Sequence, residues 1–118
     1  MSKDFWEEVE GIVGRDPRYG KEAYGFVMEA LHFTQGKLEK TRHLTGQELL
    51  EGIKEYGLKQ YGRMTRTVFE HWGIMKTGDF GEIVFNMVNA GLLKKTDEDS
   101  IDDFKNVYDF EETFGKKL

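Results

Sequence analysis

Between Tyr19 and Leu38 the residues Tyr19, Ala23, Phe26, Val27, Ala30, Leu31, Thr34 and Leu38 recur at steps of three and four. That period gathers them into one wide stripe of an α-helix, and such a stripe must be covered by other elements. The chain is thereby directed toward helices packed on helices. Its length of 118 residues allows one core, since domains run to about 100–150 residues. Nine Phe, five Tyr and two Trp supply more apolar surface than a disordered chain carries.

Around the stripe the period predicts about five helices. The first covers about Ser2–Val13, with Phe5, Val9, Ile12 and Val13 on one face. Asp16-Pro17, holding the chain's one proline, reads as the cap and first position of the second helix. Thr45-Gly46-Gln47-Glu48 has capping-box spacing and opens a third helix, burying Leu49, Leu50, Ile53, Tyr56 or Gly57, and Tyr61. Gly62 ends it. A short fourth helix spans about Thr65–Trp72, and Gly73 turns the chain. Asp79 and Glu82 open a fifth helix over Phe80–Ala90, apolar enough to be the buried centre of the fold. Beyond Gly91, Leu92-Leu93-Lys94 and Val107-Tyr108-Asp109-Phe110 fit a short C-terminal β-hairpin, and a final short helix over 101–114 fits nearly as well. Gly11, Gly25, Gly36, Gly52 and Gly57 fall inside predicted helices, where each costs about 1 kcal/mol against Ala. Tolerated surface substitution is preferred here to close helix approach.

The expected architecture is a mainly α single domain over 1–118. Its 45–110 part has the helix order of a winged helix, and 96–118 forms an acidic C-terminal segment. Val68-Phe69-Glu70-His71-Trp72-Gly73-Ile74 leading to Thr77 resembles helix-turn-helix spacing. The chemistry opposes DNA. No Lys or Arg lies between Lys76 and Lys94, and the would-be wing carries Asp97, Glu98, Asp99, Asp102 and Asp103. Base reading and phosphate neutralisation both require the opposite. Residues 96–118 hold eight acids against three lysines, and the signs cancel before them. Nucleic acid remains the competing partner class through Lys37, Lys40, Arg42, Arg63 and Arg66. The same cations are the natural complement of Asp109, Glu111 or Glu112, with Phe110 and Phe114 as apolar anchors.

Catalytic and metal signatures are missing. The absence of cysteine excludes disulfides, thiol nucleophiles and zinc fingers. His32, His43 and His71 lack the spacing of a helical zinc site. An EF-hand beginning at Asp97 fails, since Tyr108 falls where the bidentate Glu belongs. Neither serine has a base near it in sequence, and Glu48, Glu51 and Glu55 read as an exposed helix face beside Lys54 and Lys59. No catalytic residue, metal or cofactor is assigned, and an enzyme is disfavoured. No apolar run is long enough to span a membrane, so no membrane partner is expected and a cytoplasmic address is the default.

The stretches Phe5-Trp6-Glu7-Glu8-Val9, Asp16-Pro17-Arg18-Tyr19, Thr45-Gly46-Gln47-Glu48-Leu49-Leu50 and Phe69-Glu70-His71-Trp72-Gly73-Ile74 form a pattern. With Phe80-Gly81-Glu82-Ile83-Val84-Phe85-Asn86, Ala90-Gly91-Leu92-Leu93 and Tyr108-Asp109-Phe110-Glu111, they resemble a family of small uncharacterised bacterial proteins. The resemblance covers nearly the whole chain and implies a bacterial single-domain protein; it supplies no site. The leading expectation is a non-catalytic protein-interaction module, self-associating or bound to a protein partner. Its expected surface is Phe69, Trp72, Tyr108 and Phe110, because aromatic anchors dominate interfaces. A small-molecule site at His71 and Trp72 is a further alternative.

Overall fold

The computed structural model describes residues 1–40 and 42–116. Thr41 and the last two residues of the expected acidic segment, 117–118, lie outside the described residues. The helices are α1 (Lys3–Arg15), α2 (Lys21–Gln35), α3 (Gly46–Tyr61), α4 (Thr65–His71), α5 (Thr77–Asn89) and α6 (Phe110–Phe114). Single 3-10 turns occupy Gly62–Met64 and Ile101–Phe104.

Local chemistry sets most of these boundaries. Ser2 caps α1 by accepting from the Phe5 N–H at 3.2 Å. At α3 the capping box is complete: the Glu48 N–H donates to Thr45 Oγ1 (3.1 Å) and the Thr45 N–H to Glu48 Oε1 (2.9 Å). α4 closes in a Schellman motif, with Ile74 N–H on the Phe69 carbonyl (2.9 Å) and Gly73 N–H on that of Glu70 (3.0 Å). Gly73 holds the required positive φ of 93°. Any Cβ there would also run into the Arg18 carbonyl. α5 ends the same way at Gly91, and Asp79 secures its start by accepting from the Met75 N–H at 2.8 Å.

Three expectations are corrected. Asp16 does not cap α2, which starts at Lys21 after Gly20. Instead Asp16 grips the Arg18 guanidinium (2.7 and 2.8 Å) and accepts from Asn86 Nδ2 of α5 (3.0 Å). The turn is a brace between α1 and α5, and Arg18 then Asn86 hold the Asp16 carboxyl well below the usual range. The C-terminal hairpin is absent: the described residues contain no strand, and residues 92–109 are turns and irregular chain around one 3-10 turn. The alternative, one final helix over 101–114, is met only at its two ends, by the 3-10 turn Ile101–Phe104 and by α6 over Phe110–Phe114. With no strands, the 45–110 part has no wing.

The third correction concerns glycine. A Cβ on Gly25 would stand 2.7 Å from the Trp6 indole, and one on Gly52 would fall inside the Thr34 hydroxyl and 2.9 Å from Thr34 Cβ. At Gly57 it would meet Phe69 and Thr65 at 3.0 Å. These three are points of close helix approach. Gly11 and Gly36 do fit the tolerant reading, since Gly11 would touch only the end of the Arg15 side chain.

One apolar core draws on all six helices, including Val9, Tyr24, Val27, Leu50, Ile53, Phe69, Phe80, Ile83, Met87 and Phe114. α5 contributes Phe80, Ile83 and Met87 without exposure, the central role its sequence predicts. The 3-10 turn is pinned by Phe104, whose ring lies between Gly46 of α3 and Gly81 of α5. Thr77 Oγ1, itself buried, donates to the Phe104 carbonyl at 2.6 Å. No helix among the described residues is long and apolar enough to cross a membrane.

Candidate functional site

The residues expected to form a contact surface turn inward. Phe69 is fully buried and packs against Phe26 (5.2 Å between centroids), Phe80 (5.2 Å) and Phe114 (5.5 Å). Phe110 is buried as well, 5.3 Å from Phe114. Trp72 is half-buried against Phe26 and Tyr61. Tyr108 donates its hydroxyl to the Leu50 carbonyl (2.8 Å), and burial pushes that hydroxyl's pKa up. These rings form the aromatic interior and offer no exposed anchor set. Of the small-molecule pair, His71 is exposed and Trp72 half-buried, and neither lines the two cavities described below.

The basic residues do not converge. Lys37 pairs with Glu55 and stands over the Phe33 ring; Arg42 makes two hydrogen bonds to Glu48 (2.9 and 2.5 Å). Arg66 pairs with Glu70 at 3.1 Å and donates to the Gly115 carbonyl at 3.2 Å. Lys40 and Arg63 are exposed, on the connector after α2 and in the turn before α4. Among the described residues Asp109, Glu111 and Glu112 form no ion pair with these cations, but Arg66 lines one cavity with Asp109 and Glu111, and Phe110 and Phe114 are buried in the core.

A cavity of about 570 Å³ opens at the start of α5. Arg18, Arg66, Lys76 and Lys105 line it, and so do Asp79, Glu82, Asp109 and Glu111. The cations are therefore matched in number. Arg18 also binds Glu82 (3.2 Å), Lys105 binds Asp102 (2.7 Å), and Asp79 accepts from the Met75 and Lys76 N–H groups just ahead of the helix. The field over α5 is mixed, unlike the continuous cationic face that a nucleic-acid reader needs.

The other opening has a different character. A cleft of about 230 Å³ lies between α2, α3, α5 and the segment 93–104. Leu31 of α2, Leu49 of α3 and Val84, Phe85 and Val88 of α5 form its walls, with Leu44, Leu93 and Phe104 closing the floor. Val84, Phe85 and Val88 are half-buried, so α5 faces the core with one side and this cleft with the other.

Polar groups gather at its mouth: His43, Thr45, Lys94, Lys95, Asp99 and Asp103. His43 Nε2 stands 2.6 Å from Asp99 Oδ2, so the ring nitrogen donates to the carboxylate across 56 positions of chain. This contact fastens the α2–α3 connector to the C-terminal segment. The Thr96 N–H also donates to Asp99 Oδ2 (2.8 Å). Burial raises the Asp99 pKa, but the Thr96 and His43 bonds outweigh it and leave the carboxyl below its ordinary value. The Thr45 hydroxyl is engaged as a helix cap, so the lining presents an imidazole, carboxylates and ammonium groups but no free hydroxyl. Among the described residues no three His, Asp or Glu side chains come together as a metal site would need.

No protein-family model, curated protein or solved structure matches the chain. Sequence reading missed this site. Its polar pair joins residues far apart in the chain, and its walls look like ordinary core positions of amphipathic helices.

Proposed function

We propose that this protein is a non-catalytic binding domain whose cleft between α2, α3 and α5 receives a small, largely apolar ligand. One observation carries the reading. Nearly all the large apolar side chains described are buried or half-buried, yet a mostly aliphatic-walled hollow stays open, and its rim is fastened by a His43–Asp99 hydrogen bond. Apolar concavities with a few convergent polar groups are the usual form of a ligand site. At about 230 Å³ this one lies just under the range of about 300–1,000 Å³ for drug-sized ligands, so its occupant is small.

The protein-contact and self-association reading loses Phe69 and Phe110 to the core and keeps the half-buried Trp72 and Tyr108. The winged-helix reading keeps only the helix order α3, α4, α5 and a glycine turn. The resemblance to small bacterial proteins adds no site to the proposal.

Ligand-observed NMR against a library of small fragments tests it, with Val84→Trp as the control because the indole would fill the cleft. Fragments that bind the native chain and lose binding in V84W support the proposal. Fragments that bind both equally, or none at all, overturn it.

A further inference from the structure

Resting on that reading, we infer that the cleft's ligand is an amphiphilic monocarboxylate: a short aliphatic or single-ring body carrying one acidic head. The body would lie against Leu31, Leu49, Val84 and Val88, and the head would meet Lys94 and Lys95.

The sign of the head follows from how the rim charges are already used. Asp99 accepts from His43 and from the Thr96 N–H. Asp103 accepts from the Ser100 N–H at 3.0 Å. Both acids at the mouth are thus engaged by the protein's own donors. The ammonium groups are not. Among the described residues Lys94 makes no hydrogen bond or ion pair, and Lys95 reaches only the Thr96 carbonyl, at 3.5 Å. That distance is the outer limit of a hydrogen bond.

A cationic head would find only Asp99 Oδ1 and Asp103 Oδ1 unused, the Oδ2 atoms being taken by the protein's own donors, and it would lie beside two ammonium groups. A neutral head could accept from those ammonium groups but would leave their charge uncompensated. A carboxylate gains charge-assisted hydrogen bonds without breaking any present now. Apart from Gln35 at the end of α2, the helix residues of the walls carry apolar side chains, so the rest of the ligand must be largely apolar. The small volume limits the body to a short chain or one ring.

The experiment is a methyl NMR titration of the full chain with octanoate, 1-octanol and octylamine, following the Val84, Val88 and Leu93 methyl signals. The expected result is saturable shifts at all three, with octanoate bound about fivefold more tightly than octanol at low salt. That margin is modest because both lysines are exposed. Added salt should shrink it. A Lys94→Gln/Lys95→Gln double variant should bring octanoate to the octanol level and leave octanol binding unchanged. Octanol or octylamine binding as tightly as octanoate would overturn the carboxylate assignment and leave the cleft reading standing. Shifts with none of the three, beside fragment hits that V84W abolishes, would do the same. No shifts and no such hits would overturn both.

Discussion

Phe69 and Val84 belong to one helical assembly and meet opposite surroundings. Phe69 is fully buried among rings from α2, α5 and α6, with Gly57 of α3 against its edge. Around Val84 the walls are mostly aliphatic, and the space between them stays open to the outside. In this chain aromatic residues build much of the interior, and the open cleft lies where shorter side chains leave a gap. Aromatic richness around a turn therefore marks the centre of the packing here, and the inference from aromatics to an interface fails.

The contrast breaks first at the filled region. Phe69→Ala should cost about 3–5 kcal/mol in urea unfolding, the usual range for emptying a buried ring site. A loss below about 1 kcal/mol would mean that the aromatic interior is loosely packed and not distinct from the cleft.

Glycine substitutions sharpen the comparison through their sign. Gly52→Ala should destabilise by about 1–3 kcal/mol, because Thr34 Cβ cannot move without its backbone. Gly11→Ala should stabilise by up to about 1 kcal/mol, the helix-propensity gain without a collision. Matched thermal unfolding of the two variants checks this. Equal signs would contradict the close approach of α2 and α3.

At the cleft, Val84→Trp should leave stability within about 1 kcal/mol of the parent, since the added ring enters space that is already open. A loss as large as that of Phe69→Ala would show the walls to be closed core.

The smallest expected effect is electrostatic. Arg42, then the Thr45 N–H, push the Glu48 carboxyl down to about 2 from 4.5. A carboxyl depressed in the folded state stabilises it above its unfolded value, and the contribution is lost as pH falls through the folded one. Glu48→Gln keeps an acceptor for the Thr45 N–H and removes the charge. It should cost less than about 1 kcal/mol at pH 7, because the Glu48 side chain is 36% exposed. The difference from the parent should fade between pH 4.5 and about 2. A constant gap across that window would assign the loss to packing.

Legibility in the sequence followed the range of the interaction. The α3 capping box, the glycine turns at 62, 73 and 91 and the buried face of α5 each arise within a few residues and could be read directly. Asp16 misled because its partners include Asn86, far away in the chain, and that contact outcompetes a helix cap. Residues 92–110 misled because short apolar runs suit strands, yet Thr77 and the glycine sockets of α3 and α5 bind this stretch as irregular chain. Gly25, Gly52 and Gly57 gave no local sign of whether Trp6, Thr34 or Phe69 lay opposite them. The site suffered most, since His43 meets Asp99 only after the whole fold has formed.

Phe104 fits where two backbones carry no side chain, at Gly46 and Gly81, and Leu93 lies on the far side of the same segment. Both ends of the rim are therefore moored, while the stretch 94–100 between them is mostly exposed. Insertions, deletions or charge changes there would reshape the entrance and leave the walls as they are. In a protein built this way, selectivity can drift through one short surface stretch while the scaffold beneath it stays constant.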